Sequence, residues 1–322
     1  MKAATARAIF HDLAPEPESF RDLVLEGLSR RDKEIPCRFL YDERGSVLFE
    51  AICETPEYYP TRTEMAILAD CAPEIASFIG PHCQLIEFGS GASRKVTLLL
   101  NAMEQPAAYV AIEISREALQ HATDALASRF PGLAVVAVCA DYMRPFDLPE
   151  LPESNGGRRL GFFPGSTIGN LNPDEAKLFL EGCRRVIGPN GAMVVGVDLK
   201  KDAKTLHAAY NDAAGVTADF TLNLLTRINR ELGADFDLAR FAHDASYNAI
   251  AGKVEIFIRS RADQVVTVAG RRFRFNAGER IHTEDSWKYS VPQFHELATR
   301  AGFTPAQHWV DPGNLFSVHL LV

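Results

Sequence analysis

The chain has no run of Lys or Arg, no apolar stretch long enough to cross a membrane, no Cys-x-x-Cys or Cys/His ligand spacing, and no secretory leader pattern at its start. Each absence removes a class of function. With 34 Lys and Arg against 42 Asp and Glu, the formal net charge is −8. Its basic pairs, Arg158-Arg159, Arg184-Arg185 and Arg271-Arg272, are isolated, so a nucleic-acid backbone is not the expected partner. The lack of an apolar span excludes a helical membrane anchor. Six cysteines are scattered along the chain. They read as free thiols in a reducing cytoplasm, and no metal is expected. Internal repeats and low-complexity segments are absent as well. What remains is a composition 47% hydrophobic and 24% charged over 322 residues. That suits a soluble globular protein of one large or two modest domains.

One stretch organises the rest. Leu85-Ile86-Glu87-Phe88 is an apolar run ending around an acid. Gly89-Ser90-Gly91 follows, and a helical pattern begins at once (Val96, Leu98, Leu99, Leu100, Met103). A strand, a glycine turn and a helix of this kind open a nucleotide-binding βαβ unit. The glycines let backbone pass beneath a ligand, and the helix N-terminus offers it free amides. The next apolar run, Ala108–Ile112, ends in Glu113, an acid about twenty residues on and placed for the two hydroxyls of a ribose. A dinucleotide fingerprint calls for a third glycine where this chain has Arg94, and has no special use for Glu87. S-adenosylmethionine lacks a pyrophosphate but has an ammonium group that an acid beside the first glycine helps to hold. The stretch therefore reads as a methyl-donor site.

Helices are expected from Pro17 to Arg31, through Leu48 and Ile52, and from Thr63 to Ile79. Residues 1–15 carry little pattern and read as a loosely ordered start. Thr55-Pro56-Glu57-Tyr58-Tyr59-Pro60 puts two tyrosines in a loop stiffened by prolines, where they serve equally as packing groups or as ligand contacts. A third strand runs into Asp141-Tyr142, an acid beside an aromatic that suits an adenine amino group and ring face. The fourth strand, Leu160–Phe163, ends in Pro164-Gly165-Ser166-Thr167-Ile168-Gly169-Asn170-Leu171, at a tip that lies over the ligand crevice in an open parallel sheet. Asn172, Pro173 and Asp174-Glu175 then start a helix. After the fifth strand the pattern changes to two helices and antiparallel strands, with a tight turn at Ala269-Gly270, before α/β order resumes beyond Trp287. The expected fold is α/β: a class I Rossmann-like methyltransferase sheet, closing on an antiparallel edge, with an inserted α+β substrate-binding domain. Residues 63–199 and 289–322 form the donor domain in this reading, and 1–62 with 200–288 the substrate domain.

Phe39-Leu40-Tyr41-Asp42, Pro56-Glu57-Tyr58-Tyr59-Pro60-Thr61-Arg62, Gly89-Ser90-Gly91, Gly165-Ser166-Thr167-Ile168-Gly169-Asn170-Leu171 and Thr283-Glu284-Asp285-Ser286 occur in that order. Together they resemble the histidine Nα-methyltransferases of ergothioneine biosynthesis, which convert L-histidine to its trimethyl betaine, hercynine. The resemblance runs from about residue 18 to the end. It implies that Gly89, Gly91 and Lys95 line the donor site beside Glu87, with Glu113 on the ribose and Asp141 and Tyr142 on the adenine. It also implies that Tyr58 and Tyr210 hold the substrate carboxylate and that Asn170 accepts from the α-amine, with Tyr41 and Thr167 nearby. Glu284 and Ser286 match the pair that reads the imidazole. Ile256 stands where the bacterial pattern has Met, a change that keeps the pocket apolar.

The residues support that assignment in their own right. Glu284 and Ser286 are two apart on an extended segment and face one way, while Asp285 points away. A carboxylate and a hydroxyl address the two nitrogens of an imidazole, whereas an indole has one N–H and needs no second partner. Displacement at a methyl carbon by a neutral amine needs positioning and electrostatics rather than a covalent nucleophile. The implied partner is a small molecule, L-histidine, and the implied state a monomer. Related fungal enzymes methylate a tryptophan derivative, so another amino acid stays open as substrate. A nicotinamide dehydrogenase of the same topology and a non-catalytic donor-binding protein are the other classes to test.

Overall fold

The computed structural model describes residues 8–13, 19–91 and 94–322. Ala92 and Ser93 of the glycine stretch, most of the first fifteen residues and the start of the helix expected from Pro17 lie outside the described residues. By its internal contacts the chain divides into two compact units: Met1–Glu16, Arg62–Leu199 and Tyr289–Val322 form one, Pro17–Thr61 and Lys200–Lys288 the other.

Among the described residues the first unit is built on an eight-stranded sheet. Its order in space is Ile9–Asp12, Ala134–Cys139, Ala108–Glu113, Gln84–Phe88, Arg159–Phe163, Ala192–Asp198, Phe316–Leu321 and Pro305–Val310. The first six strands are parallel, and Phe316–Leu321 runs antiparallel to both its neighbours. A parallel sheet covered on both faces needs strands that are apolar throughout, and Gln84–Phe88 and Ala192–Asp198 are buried at every position. The core packs Leu85, Tyr109, Val135 and Leu160 against Leu68, Ile75, Leu99 and Leu126 from the covering helices. The chain leaves Gln84–Phe88 toward Ala108–Glu113 on one side and returns at Arg159–Phe163 on the other, so the order reverses beside the glycine turn. A crevice outside the strand ends opens at such a reversal.

The start signals at Asn172 act as read. Its Oδ1 accepts from the amides of Asp174 and Glu175, both at 3.0 Å, and Glu175 Oε2 accepts from the Asn172 amide at 2.9 Å. Two expectations need correction. The chain start was assigned to a loosely ordered segment of the substrate domain, yet Ile9–Asp12 pairs parallel with Ala134–Cys139 as an extra edge strand of the first unit. Four residues, mostly exposed, carry no period of their own, and a non-local ladder decides their state. The antiparallel strand is also not the edge: Phe316–Leu321 lies inside Pro305–Val310.

In the second unit a four-stranded sheet has the order Lys33–Glu34, Arg280–Trp287, Lys253–Ser260, Phe241–Asn248. Phe241–Asn248 was not expected, because its His, Asp, Ser and Asn residues mask any alternation; pairing along the whole of Lys253–Ser260 makes it a strand. A separate hairpin, Gln264–Val268 with Arg271–Phe275, turns on Ala269 (φ +47°) and Gly270 (φ +79°), the two positive angles of a type I′ turn. Helices Phe20–Ser29 and Val216–Leu232 bury Val24, Leu28, Phe220 and Leu224 against Ile258 and Phe275.

The Tyr41 motif is held by close backbone approach. Asp42 caps the helix Glu43–Glu54 by accepting from the Gly45 amide at 2.8 Å. A side chain at Gly45 would run into the Leu40 carbonyl oxygen, which cannot yield as a flexible side chain could. Gly45→Ala should therefore lower the unfolding free energy by about 1–3 kcal/mol or more. Gly132→Ala, at a site with nothing within 4 Å of an added Cβ, should leave it unchanged. Chemical denaturation of both variants beside the wild type checks this.

Candidate active site

In the first unit the tips of three neighbouring strands carry the expected donor residues. The amides of Gly89 and Ser90 donate to Ile112 O at 2.8 and 3.3 Å, which ties the glycine turn to the next strand. Gly89 takes φ +74°, and a Cβ there would lie 3.6 Å from the Tyr142 ring, so ring and bare backbone form one wall. Tyr142 is held edge-on by Phe163 and Phe179, with ring centroids 5.9 and 5.6 Å away. At Gly91 an added Cβ would meet nothing within 4 Å. Ser90 Oγ is buried and makes no hydrogen bond among the described residues. Glu113 takes the amides of Ile114 and Ser115 on Oε1, at 2.8 and 3.0 Å, leaving Oε2 for a ligand. Burial raises its pKa, and those two amides oppose the rise. Asp141 is engaged within its own turn, by the Met143 amide at 2.9 Å and Arg144 at 3.3 Å.

Glu87 is almost wholly buried and accepts from Tyr109 Oη at 2.5 Å. Burial pushes its pKa up to about 7, against that bond and the charge of Lys95. An orphaned hydroxyl, a glycine wall and a poised acid suit a ligand with an ammonium group and a ribose, so these residues fit the methyl donor.

Lys95, expected to line the donor site, also has a structural partner. Its ammonium pairs with Glu64 at 2.5 Å. Glu64 is fully buried and accepts the Gly165 amide on both carboxylate oxygens, at 2.8 and 2.9 Å. Sequence reasoning missed it; the only signal was an acid two residues beyond the Pro60-Thr61-Arg62 motif. Gly196 leaves the room it needs, since a Cβ there would strike Glu64 Oε1. The turn so anchored has Gly165 at φ +83° and Ser166 at φ +56°, and Ser166 Oγ accepts from the Asp198 amide at 2.9 Å. It continues into the short 3-10 helix Thr167–Asn170, where Thr167 Oγ1 donates to Pro164 O at 2.8 Å. The Asn170 amide makes no hydrogen bond among the described residues.

In the second unit Glu284 stands directly opposite Ile256 and Ser286 opposite Val254. Opposed residues of an antiparallel pair share a face, so Ile256 lies beside Glu284. A β-bulge between His282 and Glu284 shifts the register, which lets His282 and Asp285 meet on the other face at 2.9 Å, with Lys253 2.6 Å from Asp285. Burial pushes Glu284 up to about 7; Lys288, then His282, oppose it. Burial, helped by Glu284, also pushes the Cys37 thiol up to about 12, so it is inert. Tyr210 Oη lies 2.8 Å from Ser286 Oγ, and its own carbonyl is held by His243 Nε2 at 2.8 Å. Tyr58 packs edge-on against Tyr210 at 6.3 Å and against Phe49 at 6.4 Å, and Tyr41 continues the series against Phe49 at 5.5 Å. The second unit thus gathers Tyr41, Tyr58, Tyr210, Ile256, Glu284 and Ser286. It adds one residue that sequence reasoning missed, the buried Lys288, which donates to Tyr210 Oη and Ser286 Oγ at 2.7 Å each.

Two carboxyls with raised pKa values leave a mark on stability. Glu87 and Glu284 each move from 4.5 to about 7 on folding. Folding therefore takes up protons in that interval. The stabilisation from each is complete below the unfolded value and is lost as pH rises through the folded one, on the order of 3 kcal/mol per group. Denaturant titrations between about pH 5 and 7.5 should show a stability slope in Glu87→Gln and Glu284→Gln that is more positive than in wild type. Identical slopes would mean that neither group is shifted.

Residues 20–322 match the family model described as "Histidine-specific methyltransferase, SAM-dependent". The chain is 39% identical over 310 residues to the histidine N-alpha-methyltransferase of Mycolicibacterium smegmatis, covering 95% of both chains. Against the protein of the same name from Mycobacterium tuberculosis it is 37% identical over 302 residues, covering 92% of both. Against ergothioneine biosynthesis protein 1 of Neurospora crassa it is 35% identical over 295 residues, covering 90% of this chain and 33% of that one. With its sheet order, its donor crevice and a match over nearly its whole length, the chain belongs to the S-adenosylmethionine-dependent, histidine-specific methyltransferase family.

Proposed function

We propose that the chain trimethylates the α-amino group of L-histidine to give hercynine, the first step of ergothioneine biosynthesis. The observation that carries the substrate is the pairing of a half-buried carboxyl and a hydroxyl on one strand face, Glu284 and Ser286, beside Ile256. The names of the relatives point the same way. Its six free thiols fit a reducing compartment such as the cytoplasm.

Glu87, the Gly89–Gly91 turn, Glu113 and Tyr142 would hold the donor, with Lys95 close by. When bound, the donor supplies an electrophilic methyl carbon on a sulfonium sulfur. The chain's own residues do the rest. Tyr58 and Tyr210 donate to the α-carboxylate, and Glu284 with Ser286 grips the ring. In the first two transfers Asn170 Oδ1 accepts an N–H of the neutral amine and so directs the nitrogen lone pair; the tertiary amine of the third transfer has no N–H and is oriented by the carboxylate and ring contacts alone. The anchored turn before it matters for this reason: Glu64 and Ser166 fix the backbone from which Asn170 projects. Tyr41 and Thr167 are the further residues that the family resemblance assigns to the amine. Catalysis is then orientation of a nucleophile that already exists, a contribution of up to about 7–11 kcal/mol. Each proton released leaves through hydrogen-bonded groups to solvent.

Incubation with donor and a mixture of free amino acids, followed by mass spectrometry, should show three successive methyl additions on histidine alone. Addition to a different amino acid would overturn the substrate assignment. Asn170→Ala should cut turnover by orders of magnitude with little change in donor affinity. A charge-assisted hydrogen bond is worth about 1.5–3 kcal/mol and a neutral one about 1. The double variant Glu284→Ala, Ser286→Ala should therefore lose roughly two to three orders of magnitude in kcat/KM for histidine, while discrimination against tryptophan relaxes. An unchanged histidine-to-tryptophan ratio would show that these residues do not read the side chain.

A further inference from the structure

Tyr109 stands in the core of the first unit, 1% exposed, in the cluster that holds Leu85, Leu99 and Val135. A phenylalanine would fill that space as well, so the hydroxyl calls for a reason of its own. Tyr109 Oη donates to Glu87 Oε2 at 2.5 Å. The register explains the reach. Glu87 lies beside Ala111 on the next strand, and Tyr109, two residues before Ala111, shares that face. The intervening residue on the face therefore carries only a methyl group. Charges also act on Glu87 from the elements packed around it. Lys95, on Arg94–Ala102, lowers its pKa; Glu64, on Pro60–Ile79, and Glu113, at the end of Ala108–Glu113, raise it. Lys95 and Glu64 are paired with each other at 2.5 Å, so their fields at Glu87 partly cancel. On the other side, Arg159–Phe163 sets the uncharged Phe162 beside it. Against burial the Tyr109 hydrogen bond is the largest opposing influence. Burial and Glu87 hold Tyr109 far from ionisation, so it remains a donor.

We propose that Tyr109 is a positioning residue for the methyl donor's ammonium group: its hydroxyl anchors Glu87 Oε2 and leaves Oε1, as carboxylate, to the ligand. The inference rests on the reading in which Glu87 meets that ammonium, and it is independent of which amino acid is methylated. Glu87 makes no other hydrogen bond among the described residues, so one oxygen is fixed and one is available. Fixing one oxygen fixes the rotation of the carboxyl, and with it the direction in which the second oxygen points. The same bond favours the charged form, as any hydrogen bond donated to a carboxylate does. Orientation and charge are thus supplied by one hydroxyl, set in the core beneath the site and out of the ligand's way.

The test is calorimetry of S-adenosylhomocysteine and of methylthioadenosine between about pH 6 and 8.5. The first carries the ammonium, and the second has the same nucleoside without it. Only the ionised fraction of Glu87 grips an ammonium, so wild type should lose up to about tenfold in S-adenosylhomocysteine affinity per pH unit below the carboxyl's turning point. Methylthioadenosine should not follow. Tyr109→Phe removes the hydroxyl and keeps the ring. A hydrogen bond to a charged group is equivalent to about one to two pH units, and the turning point should rise by that much. From a wild-type value of about 7, S-adenosylhomocysteine should then bind roughly five- to fiftyfold more weakly at neutral pH. The gap should narrow as pH rises, with methylthioadenosine within about twofold of wild type throughout. A purely structural role would weaken both ligands alike, or weaken the first by one factor at every pH. Either result overturns the proposal, and so does an unchanged profile. Should Tyr109→Phe fail to fold, Tyr109→Met also lacks the hydroxyl and is read by the same criteria. Should both fail, wild type decides, and one pH profile shared by the two ligands overturns the proposal. That wild-type result removes Glu87 from the ammonium as well, whereas an unshifted Tyr109→Phe beside a normal wild type removes only Tyr109. A folded wild type that binds neither ligand overturns the donor site together with it.

Discussion

The bond from the Gly165 amide to the buried Glu64 carboxylate is the constraint on which the first unit's chemistry depends. Glu64 also holds Lys95, at the start of the helix Arg94–Ala102 that follows the glycine turn. One side chain therefore ties the tip of the fourth strand to the helix that follows the first, the two sides of the reversal at which the crevice opens. A carboxylate removed from water is tolerated only when charge and hydrogen bonds answer it, and here an ammonium and an amide both do. The absence of a side chain at Gly196 is part of the same arrangement. Positive φ at Gly165 and Ser166 would be a liability in a free loop. With the amide of one and the hydroxyl of the other both bonded, the turn becomes a fixed base for Asn170.

The second unit solves a related problem by different means. Its strand must show Glu284, Ser286 and Lys288 to one side while His282 and Asp285 pair on the other. Strict alternation cannot put residues three apart on one face. The bulge between His282 and Glu284 supplies the extra residue that allows it. Beside the polar row, Ile256 and the edge-on series Tyr210, Tyr58, Phe49, Tyr41 give rigid apolar bodies with polar tips. Stiff aromatic bodies beside a few donors and acceptors are the usual composition of a small-molecule site.

What was legible in the sequence is what local physics dictates. The glycine turn with Glu87 and Glu113, the cap at Asn172 and the tight turn at Ala269-Gly270 each depend on residues within a few positions of one another, and each was read. The facing of Glu284 and Ser286 needed only the period of a strand. The rest depends on partners distant in the chain. Ile9–Asp12 is a strand because Ala134–Cys139 offers it an edge, and Phe241–Asn248 because Lys253–Ser260 does. Glu64 and Lys288 drew no expectation from the sequence, because charged residues are ordinarily exposed. Lys288 in fact had a signal, the same two-residue period that picked out Glu284 and Ser286, carried one step past the end of the extended segment.

The two units share a motif of charge that neither the glycine turn nor the family motifs display. Each places a glutamate withdrawn from water, Glu87 buried and Glu284 half-buried, with a pKa pushed up to about 7 and a lysine among the groups that oppose the shift: Lys95 at Glu87, Lys288 at Glu284. A carboxyl so balanced is neither firmly ionised nor firmly neutral at neutral pH. A cationic or N–H-bearing group arriving beside it tips it toward the carboxylate and gains a charge-assisted bond in the process. With nothing bound, the proton removes most of the desolvation cost of an unanswered negative charge. At Glu87 the Tyr109 hydrogen bond and then Lys95, and at Glu284 Lys288 and then His282, set how far that balance lies from either extreme. Without the opposing groups, Tyr109 and Lys95 at Glu87 and Lys288 at Glu284, burial would favour the protonated acids, which donate but do not grip an ammonium or a ring N–H. Stronger pairing would lock the charge and waste it on the protein itself. Positioning catalysis asks for groups that are rigid in space yet available to the ligand, and a buried acid opposed by a lysine satisfies both demands.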